Sequence, residues 1–121
     1  MIKNCGIMIQ KLRKEFKSEN GVFAAVKSLN LQMNESEIFC LLGHNGSGKT
    51  TTINMLNGLM SPTSGTATVY GFDMCSQMTD IRQLLGICPQ HDILFPTLSV
   101  RVCCHCNYLH HVRSICSFLV V

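Results

Sequence analysis

The stretch Gly43-His44-Asn45-Gly46-Ser47-Gly48-Lys49-Thr50 decides how the rest of this chain is read. It has the form G-x-x-x-x-G-K-[ST], the pattern of a loop that cradles phosphates. Glycines at Gly43, Gly46 and Gly48 allow backbone angles closed to other residues and let N–H groups approach phosphate oxygens. A helix starting at the end of the loop adds a dipole equivalent to roughly half a positive charge. Lys49 can reach the outer phosphates. Thr50 offers a hydroxyl to Mg²⁺, a hard cation that prefers oxygen, and Thr51 can bond a further phosphate oxygen. The expected contacts with a nucleoside triphosphate are therefore Gly43, Asn45, Gly46, Ser47, Gly48, Lys49, Thr50 and Thr51, with Thr50 also a metal ligand.

The flanks agree with the loop. Ile38-Phe39-Cys40-Leu41-Leu42 is a short continuous apolar run, which reads as a strand buried on both faces. Gly48 to Asn57 reads as a helix with Ile53, Leu56 and Leu59 at i, i+3 and i+6, ended by Asn57-Gly58. A Gly-rich turn with a chance Lys-Thr is the weaker reading, because strand, loop and helix all point the same way.

Working outward, residues 7–16 alternate partly and predict an edge strand. Ser18-Glu19-Asn20-Gly21 is a turn. Val26 to Met33 alternates, with Lys27, Leu29, Leu31 and Met33 as its mostly apolar set, and predicts a half-buried strand. Asn34-Glu35-Ser36-Glu37 turns the chain. Downstream, Ser61 to Gly65 is a loop and Thr66 to Tyr70 a β-branched strand closed by Gly71. Residues 78–85 predict a short helix with Ile81, Leu84 and Leu85 inward. Gly86-Ile87-Cys88 is a brief strand stopped by Pro89.

Composition sets limits. The chain has 121 residues, 46% hydrophobic and 14% charged, enough for one domain and too poor in charge for disorder. Net charge is +3. The cluster Lys11, Arg13, Lys14, Lys17 is broken by Glu15 and reads as a solvated edge, so no nucleic-acid partner is expected. No run of about 18 apolar residues could span a membrane. No signal peptide is recognisable, so a cytoplasmic location is expected, with the eight Cys as free thiols.

Beyond the loop stand Thr51-Thr52-Ile53-Asn54-Met55-Leu56-Asn57-Gly58-Leu59, then Pro62-Thr63-Ser64-Gly65-Thr66-Ala67, Tyr70-Gly71, and Gly86-Ile87-Cys88-Pro89-Gln90-His91-Asp92-Ile93-Leu94-Phe95. With the phosphate loop, these strongly resemble the nucleotide-binding domain of ABC transporters. Leu41-Leu42-Gly43-His44-Asn45-Gly46 and Cys88-Pro89-Gln90-His91-Asp92 look most like subfamily A, the lipid exporters. The resemblance runs from about Ile7 to Arg101. It implies an α/β fold, the N-terminal part of a P-loop NTPase domain with an antiparallel β edge and an incomplete parallel core. It implies ATP and Mg²⁺ as cofactors. Gln90 matches the Q-loop glutamine, which touches Mg²⁺ and the attacking water and couples to the membrane domains. An ordinary loop glutamine is the alternative. Phe16 occupies the place of the aromatic that stacks on adenine, where Tyr is commoner, and a core phenylalanine is the alternative. The family's partners are transmembrane domains and a second nucleotide-binding domain, which places such a chain at the cytoplasmic face of a membrane.

Other family motifs are not found. There is no Leu-Ser-Gly-Gly-Gln signature, no apolar run leading into an Asp-Glu pair, and no switch histidine. Those groups would supply a further Mg²⁺ contact and the general base, so hydrolysis by this chain is expected to fall close to background. After Arg101 the composition changes. Residues 102–121 hold Cys103, Cys104, Cys106 and Cys116 with His105, His110 and His111, and no Asp or Glu. The expectation is a partial nucleotide-binding domain over 1–101 and a divergent, unstructured tail over 102–121. Cys103, Cys106, His110 and Cys116 could ligate zinc, but chance clustering is the stronger reading. An ATP-binding part of a transporter ATPase is the leading function. A non-enzymatic ATP-binding or interaction module is the alternative, and an unrelated P-loop NTPase is the weakest.

Overall fold

Two long alternating segments separated by Asn20-Gly21 close on each other as a hairpin. In the structure, a computed structural model describing residues 5–19, 21–87, 99, 101–102 and 118–119, they are β1 (Cys5–Ser18) and β2 (Gly21–Asn34). The pair is antiparallel and ends at Ser18↔Gly21. Gly21 takes a φ of 122°, which explains glycine at the end of this turn. Next come α1 (Lys49–Leu56), β3 (Ser64–Val69), β4 (Phe72–Asp73), α2 (Met78–Leu84), β5 (Gly86–Ile87) and β6 (Phe118–Leu119).

The main sheet has the order β2-β1-β3-β4 and every pairing in it is antiparallel. A separate parallel pair joins β5 to β6. The antiparallel sheet and the α/β class are as expected. The edge position of residues 7–16 is not, because β1 lies between β2 and β3. Its alternation is partial because bulges break its phase on both sides, between Ile9 and Leu12 against β2 and between Gln10 and Arg13 against β3.

A bulge also shifts the phase of β2. Leu12 pairs with Leu29 and Lys14 with Val26, so three steps on β2 match two on β1. Val26 is thereby buried in the core, as Met33 is, while Lys27, which simple alternation groups with Leu29, is exposed.

Beneath the sheet, Ile7, Ile9, Leu12, Ala67 and Val69 pack with Met55 and Leu56 of α1, Met74, and Ile81 of α2. Ile9, Leu12, Met55, Val69 and Ile81 are fully buried. Each such side chain contributes roughly 1.5–3 kcal/mol by leaving water. Thr52 and Asn57 are the buried polar residues among those described. The Thr52 hydroxyl donates to Gly48 O at 2.9 Å.

Two further expectations fail. Residues 37–42 form no strand, and Ile38 is 97% and Leu42 89% exposed. A strand buried on both faces needs a neighbour along each edge, and none of the described strands pairs with this run. Leu59 lies beyond the end of α1 and is 70% exposed, so the inward face of the helix stops at Leu56.

Candidate functional site

The loop at 43–48 ends on a residue forced to be glycine. Gly48 is the N-cap of α1, with φ 91°. A Cβ placed there would stand 2.4 Å from the Ala25 carbonyl oxygen. Ala25 is the extra residue of a bulge, because Lys14 pairs with Val26 and the next residue, Glu15, with Ala24. The bulge therefore pushes a β2 carbonyl against the helix start and fixes where the loop meets the sheet. Gly43 takes no positive φ, and a Cβ there would meet only the Ser47 side chain, which can turn away, so of the three loop glycines it is Gly46 and Gly48 that adopt the left-handed backbone. Inside the loop, Ser47 N–H donates to His44 O at 3.1 Å, and His44 Nδ1 lies 2.8 Å from Asn45 O.

Lys49 folds back over this turn. Its ammonium donates to Gly43 O at 2.6 Å and to His44 O at 3.0 Å. The side chain is thus held across the loop, with its charge at the rim. No side chain caps the N-terminus of α1, and no acidic residue lies in its first turn. The leading N–H groups of the helix and the Lys49 charge together favour an anion. Thr50 is exposed and Thr51 half-buried, whereas Thr52 is spent on the Gly48 carbonyl. The donor set suits a polyphosphate: backbone N–H groups, one ammonium, and an exposed hydroxyl that could complete the shell of a hard cation.

Phe16 lies near the hairpin turn, 37% exposed. Lys14 Nζ stands 5.5 Å from its ring centroid and also donates to Ser61 O at 2.7 Å. In register, Phe16 faces Phe23, two residues along β2 from Ala25. The phosphate loop and the aromatic thus share one end of the hairpin. Gln90, and the Cys and His residues of 103–117, lie outside the described residues.

The far end of α1 is also tied down. Asn57 N–H donates to Ile53 O and Gly58 N–H to Met55 O. Arg82 Nη2 of α2 donates to Gly58 O at 3.0 Å. Sequence reasoning missed Ala25, Lys14 and Arg82. Nothing in composition or spacing marks a bulge at Ala25, and Lys14 reads only as one of a solvated basic cluster.

Past β4, Asp73 accepts hydrogen bonds from Thr66 Oγ1 at 2.7 Å, Ser76 Oγ at 2.9 Å, and the N–H groups of Cys75 and Ser76 at 3.2 Å. The Thr66 bond first, then those from Ser76 and Cys75, hold its carboxyl below the ordinary carboxylate value. It ties β3 and β4 to the turn before α2.

A glycine-rich loop opening a helix against an antiparallel sheet defines the nucleotide-side portion of a P-loop cassette. Solved structures share this fold. A dimeric bacterial ABC transporter cassette, MJ0796, aligns at 28% identity with a TM-score of 0.69, covering 77% of this chain and 42% of that one. The same cassette in a post-hydrolysis state bound to ADP and Pi aligns at 25% identity with a TM-score of 0.76, covering 92% and 50%. The family model described as ABC transporter matches residues 26–113, and the chain belongs to that family. Its curated relatives are of subfamily A. Phospholipid-transporting ATPase ABCA3 of Homo sapiens is 54% identical over 95 residues, and ABC transporter A family member 6 of Dictyostelium discoideum 51% identical over 100 residues. Those matches cover 78% and 83% of this chain but only 6% of each relative. Among the described residues no helix is long and apolar enough to cross a membrane.

Proposed function

We propose that this chain binds Mg²⁺-ATP and is the ATP-binding portion of an ABC transporter ATPase that moves lipid across a membrane. The observation that carries the reading is the phosphate loop itself: Gly48 opens an uncapped helix N-terminus, with Lys49 held across Gly43 and His44. Gly43, Asn45, Gly46, Ser47 and Gly48 present the backbone to the phosphates. Lys49 moves from its loop carbonyls to a phosphate oxygen. Thr50 serves the metal, Thr51 a further phosphate oxygen, and Phe16 the base. Gln90 would touch Mg²⁺ and the attacking water and couple to the membrane domains. The bound metal would neutralise phosphate charge.

Lipid as cargo follows from the phospholipid-transporting relative. Transmembrane domains and a second cassette are the partners such a role needs, at the cytoplasmic face of a membrane. The domain covers 1–101, with 102–121 as a divergent tail. Titration of the chain with ATP and Mg²⁺ tests the binding. Saturable binding that Lys49→Ala removes is expected. ATP affinity unaffected by Lys49→Ala would sink the reading.

A further inference from the structure

We propose that Phe23 is a second nucleobase-contacting residue, working beside Phe16 to hold the base of the bound nucleotide. This contact rests on the function proposed above and is one that the phosphate motif does not contain.

Three observations converge. First, Phe16 and Phe23 are directly opposed in the antiparallel β1–β2 pair, so their side chains leave the same face of the hairpin. Second, Phe23 is 60% exposed, a large aromatic left in water on a chain whose other aromatic at this end is also open. Third, the hairpin end is tied to the phosphate loop by backbone packing. The bulged Ala25 presses its carbonyl on Gly48, and Phe23 is two residues further along the same strand, about 7 Å.

Geometry then sorts the surroundings of Phe16. Lys14 lies over its ring, anchored on Ser61 O. That ammonium occupies one side of the aromatic. Phe23 stands opposite Phe16 on the partner strand. A base stacked on Phe16 therefore has an apolar wall at Phe23, and a base that leaves Phe16 still has a π-face beside it. Such stacking reads the flat face of a base and not its hydrogen-bonding edge, so the pair would strengthen nucleotide binding without choosing strongly among bases. Val22, paired with Lys17 on the opposite face, takes no part.

The test compares ligands with and without a base. The full chain is titrated with ATP and with inorganic tripolyphosphate. Phe23→Ala is expected to weaken ATP about tenfold and to leave tripolyphosphate unchanged, because stacking energy is lost and phosphate contacts are not. Phe23→Tyr should retain ATP affinity, and Phe23→Leu, which keeps apolar bulk without a π-face, should fall between. If Phe23→Ala does not fold, as judged by circular dichroism, the Leu variant decides. ATP affinity unchanged in the Ala and Leu variants, while Lys49→Ala still loses ATP, overturns the Phe23 contact and leaves the proposed function standing. Wild-type chain that binds neither ATP nor tripolyphosphate overturns the proposed function and this contact with it.

Discussion

Replacing Gly48 by alanine probes the joint between sheet and phosphate loop. Two effects add. At φ 91° an L-residue is strained, which costs about 1–2 kcal/mol. The new Cβ would also lie 2.4 Å from the Ala25 carbonyl oxygen, where contacts under 3.0 Å do not occur. One backbone must yield, and both are held, Ala25 between the paired residues Ala24 and Val26 and Gly48 by its bonds to Thr52. Relieving such overpacking costs roughly another 1–3 kcal/mol. The expected loss is therefore about 2–5 kcal/mol. Gly46→Ala is the internal control. Gly46 has φ 83°, but a methyl group added there would meet nothing within 4 Å, so only the strain of about 1–2 kcal/mol applies. Urea unfolding followed by circular dichroism reads both, provided the slope with denaturant is unchanged. Tripolyphosphate affinity should fall further in Gly48→Ala, because α1 must shift away from β2. Equal destabilisation by the two substitutions would refute the idea that the Ala25 bulge seats the loop.

Other outcomes follow from the same structure. Leu12→Ala should destabilise by about 2–5 kcal/mol in the same unfolding assay, since Leu12 is fully buried in the core cluster that includes Met55 and Leu56 of α1. Asp73 has a folded-state pKa below its ordinary value of 3.8. Its contribution to stability is therefore complete above that value and lost as pH falls below it toward the folded pKa. Unfolding midpoints measured between neutral and acid pH should drop below about pH 4, and Asp73→Asn should flatten that drop. An unchanged acid profile in Asp73→Asn would count against the role of its hydrogen bonds.

Local chemistry explains what was legible in the chain. The hairpin follows from alternating apolar residues around Asn20-Gly21, and Gly21 does take positive φ. The helix after the loop starts at Lys49 and stops at Leu56, with Asn57 as its C-cap, because Gly58 takes φ 70°. Residues 78–84 fold as a helix with Ile81 inward. The apolar run 38–42 was misleading for a physical reason. Hydrophobicity marks a segment able to be buried, but a strand exists only where another strand pairs with it, and Ile38 to Leu42 finds none among the described residues. The interior position of β1 was hidden because bulges scramble the two-residue period on which an edge or central assignment depends.

The sequence by itself determined the family, the phosphate loop, the helix it opens and the hairpin before it. Each of these rests on residues close in the chain: glycines that permit a conformation, a lysine next to them, a turn between alternating runs. Only the tertiary structure decided that Ala25 is bulged, that its carbonyl meets Gly48, that Phe16 faces Phe23, and that Arg82 holds the end of α1. Those are contacts between segments distant along the chain. Their register depends on how a whole strand is bent and paired, and no local pattern encodes it.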